Sequence, residues 1–185
     1  MYYLYTWNSI KEKSPKFEGY LEELMRARKV FNLSGARDDN DFIRLIEESL
    51  APLMVIKDWE NKYVIDIGSG AGFPGIPLAI MEEEARFLLL DSSYKRTTFL
   101  KLVKLKLRLD NVEVVYGDAS RLASDDNYRE RFDIAITRGL GKNDLGRKVA
   151  MSFLKRGGRY LTFKNEGPGY PIKPGLVILE EMRDD

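Results

Sequence analysis

A glycine-rich turn near the middle of the chain combines residue types and spacing that could bind a ligand. It reads "DIGSGAG" over positions 66–72, which is the pattern D-x-G-x-G-x-G, and it follows a short apolar segment and precedes a helix-length one. Glycine adopts unusual backbone dihedral angles and lacks the side chain that would collide with a ligand. In a doubly wound sheet, the first strand-to-helix turn lies beneath the ligand. The spacing therefore predicts a binding site here, with an ordinary ligand-free turn as the alternative.

Two better-known glycine motifs do not match this turn. The dinucleotide pattern G-x-G-x-x-G would need glycine at position 73, where Phe73 stands, and a phosphate loop would need lysine after Gly75. The remaining pattern resembles that of S-adenosylmethionine-dependent class I methyltransferases. That resemblance implies S-adenosylmethionine as cofactor, with S-adenosylhomocysteine as its product.

Two further strand ends are expected to meet the glycine turn. Asp91 closes the second predicted strand about 20 residues after the glycines, where such folds place a carboxylate that accepts hydrogen bonds from ribose hydroxyls. Asp118, Ala119 and Ser120 follow the third strand, where the adenine would rest in this layout. An ordinary strand-end cap is the alternative for Asp91. Three strand ends at one crevice predict the site more strongly than any of them alone.

The composition excludes several kinds of chemistry. The chain has no cysteine and no histidine, which removes disulfides, thiolate nucleophiles, Cys-based metal sites and the commonest general base. We predict no metal site. No apolar run reaches the length of a membrane span, and the N-terminus lacks the features of a secretory signal, so we predict a cytoplasmic protein with no membrane partner.

Alternating strand and helix patterns begin at Tyr63. Short apolar segments predict strands buried on both faces: 63–68, 86–91, 112–117, 132–137, 159–163 and 176–180. Helix-length segments lie between them: 76–84, 95–109, 120–131 and 143–154. Before them, 17–31 and a stretch from Asp41 to Pro52 show helical periodicity. We predict one α/β domain over 1–185, a Rossmann-like, mostly parallel sheet with helices on both faces, carrying a helical extension (1–60) on the 61–185 core.

Longer motifs narrow the resemblance to one family. "DIGSGAGFPGIPLAI", "LLLDSSYKRTTFL", "FDIAITRGLG", "YLTFKNEG", "FNLSGARD" and "RLIEESLAPL" occur in this order between about Phe31 and Lys164. They resemble the GidB/RsmG family, whose members methylate N7 of a guanine in small-subunit (16S) ribosomal RNA. The F-P-G-I-P extension and the D-S-x-x-K-R block are more specific than the glycines.

The resemblance implies a set of site residues. Arg138, in T-R-G where the family has S-R-A, is expected at the edge between cofactor and substrate and is our candidate catalytic residue. Candidate RNA contacts are Lys95, Arg96 and Lys164, with a solvated helix turn as the alternative for the first two. The expected cofactor-binding residues are Asp66, Gly68, Ser69, Gly70, Gly72, Phe73, Asp91, Ser92, Asp118, Ala119, Ser120 and Arg138.

The sequence also departs from the family pattern. Where the upstream block usually reads R-H-x-x-D-S, Leu45 replaces the histidine and Glu48 the aspartate, and Asp118 stands where arginine is common. Only 21 residues follow Lys164, so we expect a shortened C-terminal end.

The predicted chemistry is compatible with this composition. N7 of guanine carries a free lone pair and needs no deprotonation, so alignment alone can supply on the order of 7 kcal/mol or more of the barrier. The segment "KRTTFLKLVKLKLR" (95–108) has six basic residues and no acidic one, which favours contact with RNA phosphates. We therefore predict 16S ribosomal RNA or the small subunit as partner, and a monomer. A class I methyltransferase of small molecules and a non-catalytic RNA-binding or assembly protein remain as alternatives.

Overall fold

The computed structural model describes residues 5–28, 38–139, 144–164 and 176–181. Four described helices come first: α1 (Trp7–Lys13), α2 (Lys16–Arg28), α3 (Asp39–Ser49) and α4 (Pro52–Val55). Strands and helices then alternate: β1 (Tyr63–Ile67), α5 (Gly75–Met81), β2 (Arg86–Asp91), α6 (Tyr94–Leu107), β3 (Val112–Tyr116), α7 (Ala119–Leu122), β4 (Phe132–Arg138), α8 (Asp144–Ser152), β5 (Leu154–Lys164) and β6 (Leu176–Glu181). No helix in these described ranges is long and apolar enough to cross a membrane.

The strands form one sheet in the order β3-β2-β1-β4-β5-β6. The first five strands in this order are parallel, and β6 pairs antiparallel with β5. Consecutive strands run outward from β1 to β3 on one side, and the chain returns to the other side of β1 with β4. Strand order therefore reverses between β1 and β4, and open α/β sheets bind ligands in the crevice at the carboxyl ends beside such a reversal.

The central strands bury side chains on both faces because helices cover both sides of the sheet. In β2, Phe87 and Leu89 pack in one apolar cluster with α2, α3, α5 and α6, whereas Leu88 and Leu90 pack in a second cluster with residues of α7 and α8. This alternation follows from the two-residue period of a strand. It explains why β1, β2 and β4 read as nearly continuous apolar runs.

Three sequence predictions about the elements are wrong or incomplete. Strand β3 is at the sheet edge and only Val112 is fully buried, so it is not covered on both faces. The predicted helix over 120–131 is the four-residue α7 followed by turns. Strand β5 begins at Leu154, five residues earlier than predicted and at the last residue of the predicted helix over 143–154.

The N-terminal helices pack against the α/β core. Tyr20 and Leu24 of α2 are fully buried in the same cluster as Phe73 and Leu100. Helix α2 also lies close to α6, since a Cβ atom added at Gly19 would come within 2.8 Å of Leu107 Cδ2. Sequence periodicity indicated α2 and α3 but not α1 and α4. Residues 29–37, which include most of the motif "FNLSGARD", lie outside the described part.

Candidate active site

A cavity of about 470 Å³ opens at the carboxyl ends of the parallel strands. Its volume is that of a typical small-molecule site. Seven elements or their following turns contribute to the wall: Ile67, Gly68, Leu90, Asp91, Ser92, Arg96, Gly117, Asp118, Ala119, Ser120, Arg138, Gly139, Gly146 and Val149. The predicted convergence of three strand ends on one crevice is therefore present, and β4 and α8 complete the wall.

The glycine turn and Asp91 are joined by a direct hydrogen bond. The backbone N–H of Gly70 donates to Oδ2 of Asp91 over 2.8 Å, and the N–H of Ser93 donates to Oδ1 over 2.8 Å. Asp91 is 3% exposed, and Arg96 Nη1 lies 3.7 Å from Oδ2. A carboxylate has about four acceptor positions, so Asp91 can still accept hydroxyl donors while it holds the turn.

Glycine is required at Gly70 by backbone conformation. Its φ is +60°, and a Cβ atom added there would meet nothing closer than the Gly68 carbonyl oxygen at 3.9 Å. The left-handed conformation, rather than a neighbouring atom, thus limits this position. Space remains beside the turn, as a ligand approaching the backbone would need.

Gly72 differs because protein atoms fill the space around it. A Cβ atom there would come within 2.6 Å of Ile76 Cγ1 and 2.8 Å of the Tyr20 hydroxyl. Phe73 is buried, with its ring 5.6 Å from that of Tyr20. Gly72 and Phe73 therefore face the packing between the turn and α2 and are not part of the cavity wall.

Asp66 and Ser69 are also buried behind the turn. Oδ2 of Asp66 accepts the Gly75 N–H over 3.0 Å, and the Ser69 hydroxyl donates to the Asp66 carbonyl oxygen over 2.8 Å. Oδ1 of Asp66 has no hydrogen-bond partner among the described residues. Burial raises the pKa of the Asp66 carboxyl to about 7, with a further contribution from the charge on Asp91. This side chain, like that of Ser69, does not reach the cavity wall.

Arg138 lies in the wall and is held by the N-terminal helices. Its Nη2 donates to Glu48 Oε2 over 2.5 Å and its Nη1 to Ser49 Oγ over 3.5 Å, while the guanidinium lies 5.4 Å from the Phe163 ring centroid. The side chain is 17% exposed. Sequence reasoning placed Arg138 at the site but did not assign Glu48 as its partner. The acidic residue in the upstream motif was the available signal.

The predicted RNA contacts lie at different places. Arg96 contributes to the cavity wall, whereas Lys95 is exposed on α6 outside it. Lys164 ends β5, and its side chain lies outside the described part of the structure. Within the described residues, no group of three acidic side chains is arranged to hold a metal ion.

Comparison with known proteins identifies the family. A family model described as GidB, rRNA small subunit methyltransferase G, matches residues 13–170. The chain belongs to this family. Its curated relatives include ribosomal RNA small subunit methyltransferase G of Oenococcus oeni, 40% identical over 90% of this chain and 69% of the relative. The corresponding protein of Fusobacterium nucleatum is 42% identical over 84% of this chain and 65% of the relative.

The fold agrees with that of solved methyltransferases. An S-adenosylmethionine-dependent methyltransferase from Thiobacillus denitrificans, solved with S-adenosylhomocysteine, superposes with a TM-score of 0.50 at 25% identity, covering 63% of this chain and 48% of that one. The predicted family, the class I fold and the S-adenosylmethionine-dependent class are thereby confirmed. The chain spans about two thirds of the length of these curated relatives.

Proposed function

We propose that this chain transfers a methyl group from S-adenosylmethionine to N7 of a guanine in 16S ribosomal RNA. The observation that carries the proposal is the cavity at the sheet reversal, where the glycine turn is bonded to Asp91, in a chain of the small-subunit methyltransferase family. The location is the one that open α/β sheets use for ligands. The family supports ribosomal RNA as the substrate.

The residues in the wall suit the cofactor's chemical groups. Asp91 would accept ribose hydroxyls, and Ala119 and Ser120 would border the adenine. Asp118 already accepts the Arg121 N–H at 3.0 Å, so its first role is to cap α7 and fix this turn. Gly68 would let the ligand approach the backbone closely because it has no side chain. Ser92 would offer its hydroxyl to the ligand.

The residues behind the wall would act by shaping the turn. We assign Ser69, Gly70, Gly72 and Phe73 to this supporting role, since they bond or pack within the turn. Asp66 bonds the start of α5 and leaves Oδ1 unpartnered among the described residues. Because Asp66 does not reach the cavity wall, its proposed contribution is to hold the start of α5 behind the turn.

The reaction would depend on alignment. The cofactor supplies a methyl group activated on a sulfonium sulfur. N7 of guanine needs no proton removed before it attacks, which suits a chain without histidine or cysteine. Arg138 would hold substrate and cofactor in line: Glu48 and Ser49 fix its position, and three of its five N–H donors form no hydrogen bond with another described residue.

RNA would be held by the basic surface beside the cavity. Arg96 stands in the wall and Lys95 is next to it on α6, so both are proposed phosphate contacts, and Lys164 is a third at the end of β5. Phosphate contacts set register without reading sequence, and the guanine must leave its stack to reach a cavity of this kind.

Isothermal titration with S-adenosylhomocysteine tests the cofactor site. The full chain should bind at one site, and Gly70→Asp should weaken binding at least about tenfold, because the new carboxylate lies beside Asp91 and inside the turn. Gly157→Asp is a matched control: Gly157 also has a positive φ, has no atom within 4 Å of an added Cβ, and lies in β5 away from the cavity wall. Both substitutions place aspartate in the same strained backbone region.

Either of two results would contradict the proposed cofactor site. One is a folded full-length chain that does not bind S-adenosylhomocysteine. The other is equal binding by the two aspartate variants.

A further inference from the structure

Two exposed tyrosines lie together close in sequence to residues of the cavity wall. Tyr94 is 73% exposed and Tyr116 is 57% exposed, and their rings meet edge to face with centroids 5.9 Å apart. We call Tyr94 and Tyr116 the tyrosine pair. Most exposed large apolar side chains of the described residues occur on α6 and at the end of β3, so the pair is part of a local concentration.

Both tyrosines are close to cavity residues along the chain. Tyr116 pairs with Asp91 in the register of strands β3 and β2, and it directly precedes Gly117, which lines the cavity. Tyr94 begins α6 two residues after Ser92, another wall residue. An RNA base stacked on these rings would therefore lie near the β2 and β3 side of the cavity wall.

The charges around the pair favour a polyanion. Helix α6 contains no acidic residue, and Tyr94 and Lys101 are seven residues apart, which places them on one side of the helix. No carboxylate of the described residues forms an ion pair with Lys101, which stands about 10 Å along the axis from Tyr94.

Nearby carboxylates do not oppose this surface strongly. Asp91 is buried and bonded to two backbone N–H groups, and Asp118 caps α7. Glu113 lies on the alternate face of β3, because it is three residues from Tyr116 in a strand of period two.

We infer that the tyrosine pair is a stacking platform for an unpaired RNA base that flanks the target guanine on the β3 side of the cavity. This inference rests on the proposed function and adds a binding subsite to it. Aromatic faces bind unstacked bases with little regard to sequence, and basic side chains beside them hold the backbone. The exposed rings of the tyrosine pair provide the aromatic face, and the acid-free side of α6 provides the basic side chain that holds the RNA backbone.

Binding of an unmodified 16S ribosomal RNA transcript, measured with saturating S-adenosylhomocysteine, tests the platform. Tyr94→Ala and Tyr116→Ala should each weaken RNA binding by about fivefold to a hundredfold. Tyr94→Phe and Tyr116→Phe keep the ring and should stay within about twofold of the unaltered chain. Leu105→Ala removes an equally exposed apolar side chain (76%) farther along α6 and should also stay within about twofold.

Two more measurements separate stacking from other roles. The dependence of RNA affinity on salt should keep its slope in the alanine variants, whereas Lys101→Ala should reduce it, because only the lysine change removes a phosphate contact. S-adenosylhomocysteine affinity should not change in any of these variants.

The platform is overturned if the alanine variants bind RNA as the unaltered chain does, or if the phenylalanine variants lose as much affinity. It is also overturned if cofactor affinity falls in parallel, which would assign the pair to the cofactor site, or if Leu105→Ala weakens RNA binding equally. Methyl transfer is scored separately. RNA binding that depends on the rings without any transfer contradicts the proposed function alone, and transfer that ignores the rings contradicts the platform alone.

Discussion

The buried carboxyl group of Asp66 helps to hold the backbone behind the site. Its carboxyl is fully buried, one oxygen bonds the start of α5, and burial raises its pKa to about 7. In the unfolded chain the same group should titrate near its ordinary value of 3.8. Between these two pH values the folded state therefore retains a proton that the unfolded state has released.

Asp66→Asn should remove a pH dependence of stability. Because the folded pKa is raised, the contribution of Asp66 to the free energy of unfolding falls as pH rises from about 4 to 7. A difference of about three pH units corresponds to at most about 4 kcal/mol. Chemical denaturation of the cofactor-free chain between pH 5 and 8 should show this decline, and the decline should be much reduced in Asp66→Asn.

Asp58→Asn is the matched control for that measurement. Asp58 is exposed and a hydrogen bond from Lys62 lowers the pKa of its carboxyl, so its replacement should leave the decline between pH 5 and 8 in place. Identical pH profiles for the unaltered chain and Asp66→Asn would contradict the assignment.

Among the elements, α2 supports the glycine turn from behind. The Tyr20 hydroxyl donates to the Ala71 carbonyl oxygen over 2.7 Å, and the ring of Tyr20 packs on Phe73. Helix α3 acts similarly at β4, since Glu48 and Ser49 hold Arg138. The N-terminal helices therefore help to build the site, although they provide none of the cavity wall.

Tyr20→Phe should weaken both stability and cofactor binding. The Ala71 carbonyl would remain buried without its hydrogen bond, which should lower the free energy of unfolding by about 1–3 kcal/mol. S-adenosylhomocysteine affinity should fall several-fold because the turn is held less firmly. Tyr63→Phe is a suitable control: the Tyr63 hydroxyl has no hydrogen-bond partner among the described residues, so denaturation and titration should both be nearly unchanged. Unaltered cofactor affinity in Tyr20→Phe would contradict the supporting role of α2.

Sequence patterns located some elements better than others for physical reasons. Strand β2 has the predicted bounds because a strand buried on both faces is an uninterrupted apolar run. The prediction that strand β3 is buried on both faces was wrong because its apolar residues lie at an uncovered edge of the sheet. Local periodicity also could not show that Glu48 meets Arg138, since these residues are 90 positions apart and are joined only by the packing of α3.

At the scale of the whole molecule, charge and fold agree with an RNA substrate. Residues 95–159 contain 16 basic and 8 acidic side chains, and the remainder of the chain has an acidic excess. The basic part includes α6, which borders the cavity through Arg96. The motifs between Phe31 and Lys164 were enough to identify the family, because several specific blocks occur in order. The cavity itself required the structure, since α8 adds wall residues that no motif indicated.

Methyl transfer to the RNA tests the central claim most directly. The full chain should be incubated with labelled S-adenosylmethionine and 16S ribosomal RNA, both as a transcript and in small subunits from cells that lack the family's enzyme. The label should be mapped by borohydride reduction and aniline cleavage, which break the chain at N7-methylguanine. We predict label at N7 of a specific guanine in at least one substrate, and much less label with Gly70→Asp at a limiting cofactor concentration. Absence of label in both substrates with a chain that binds S-adenosylhomocysteine, or label at another atom, would contradict the account.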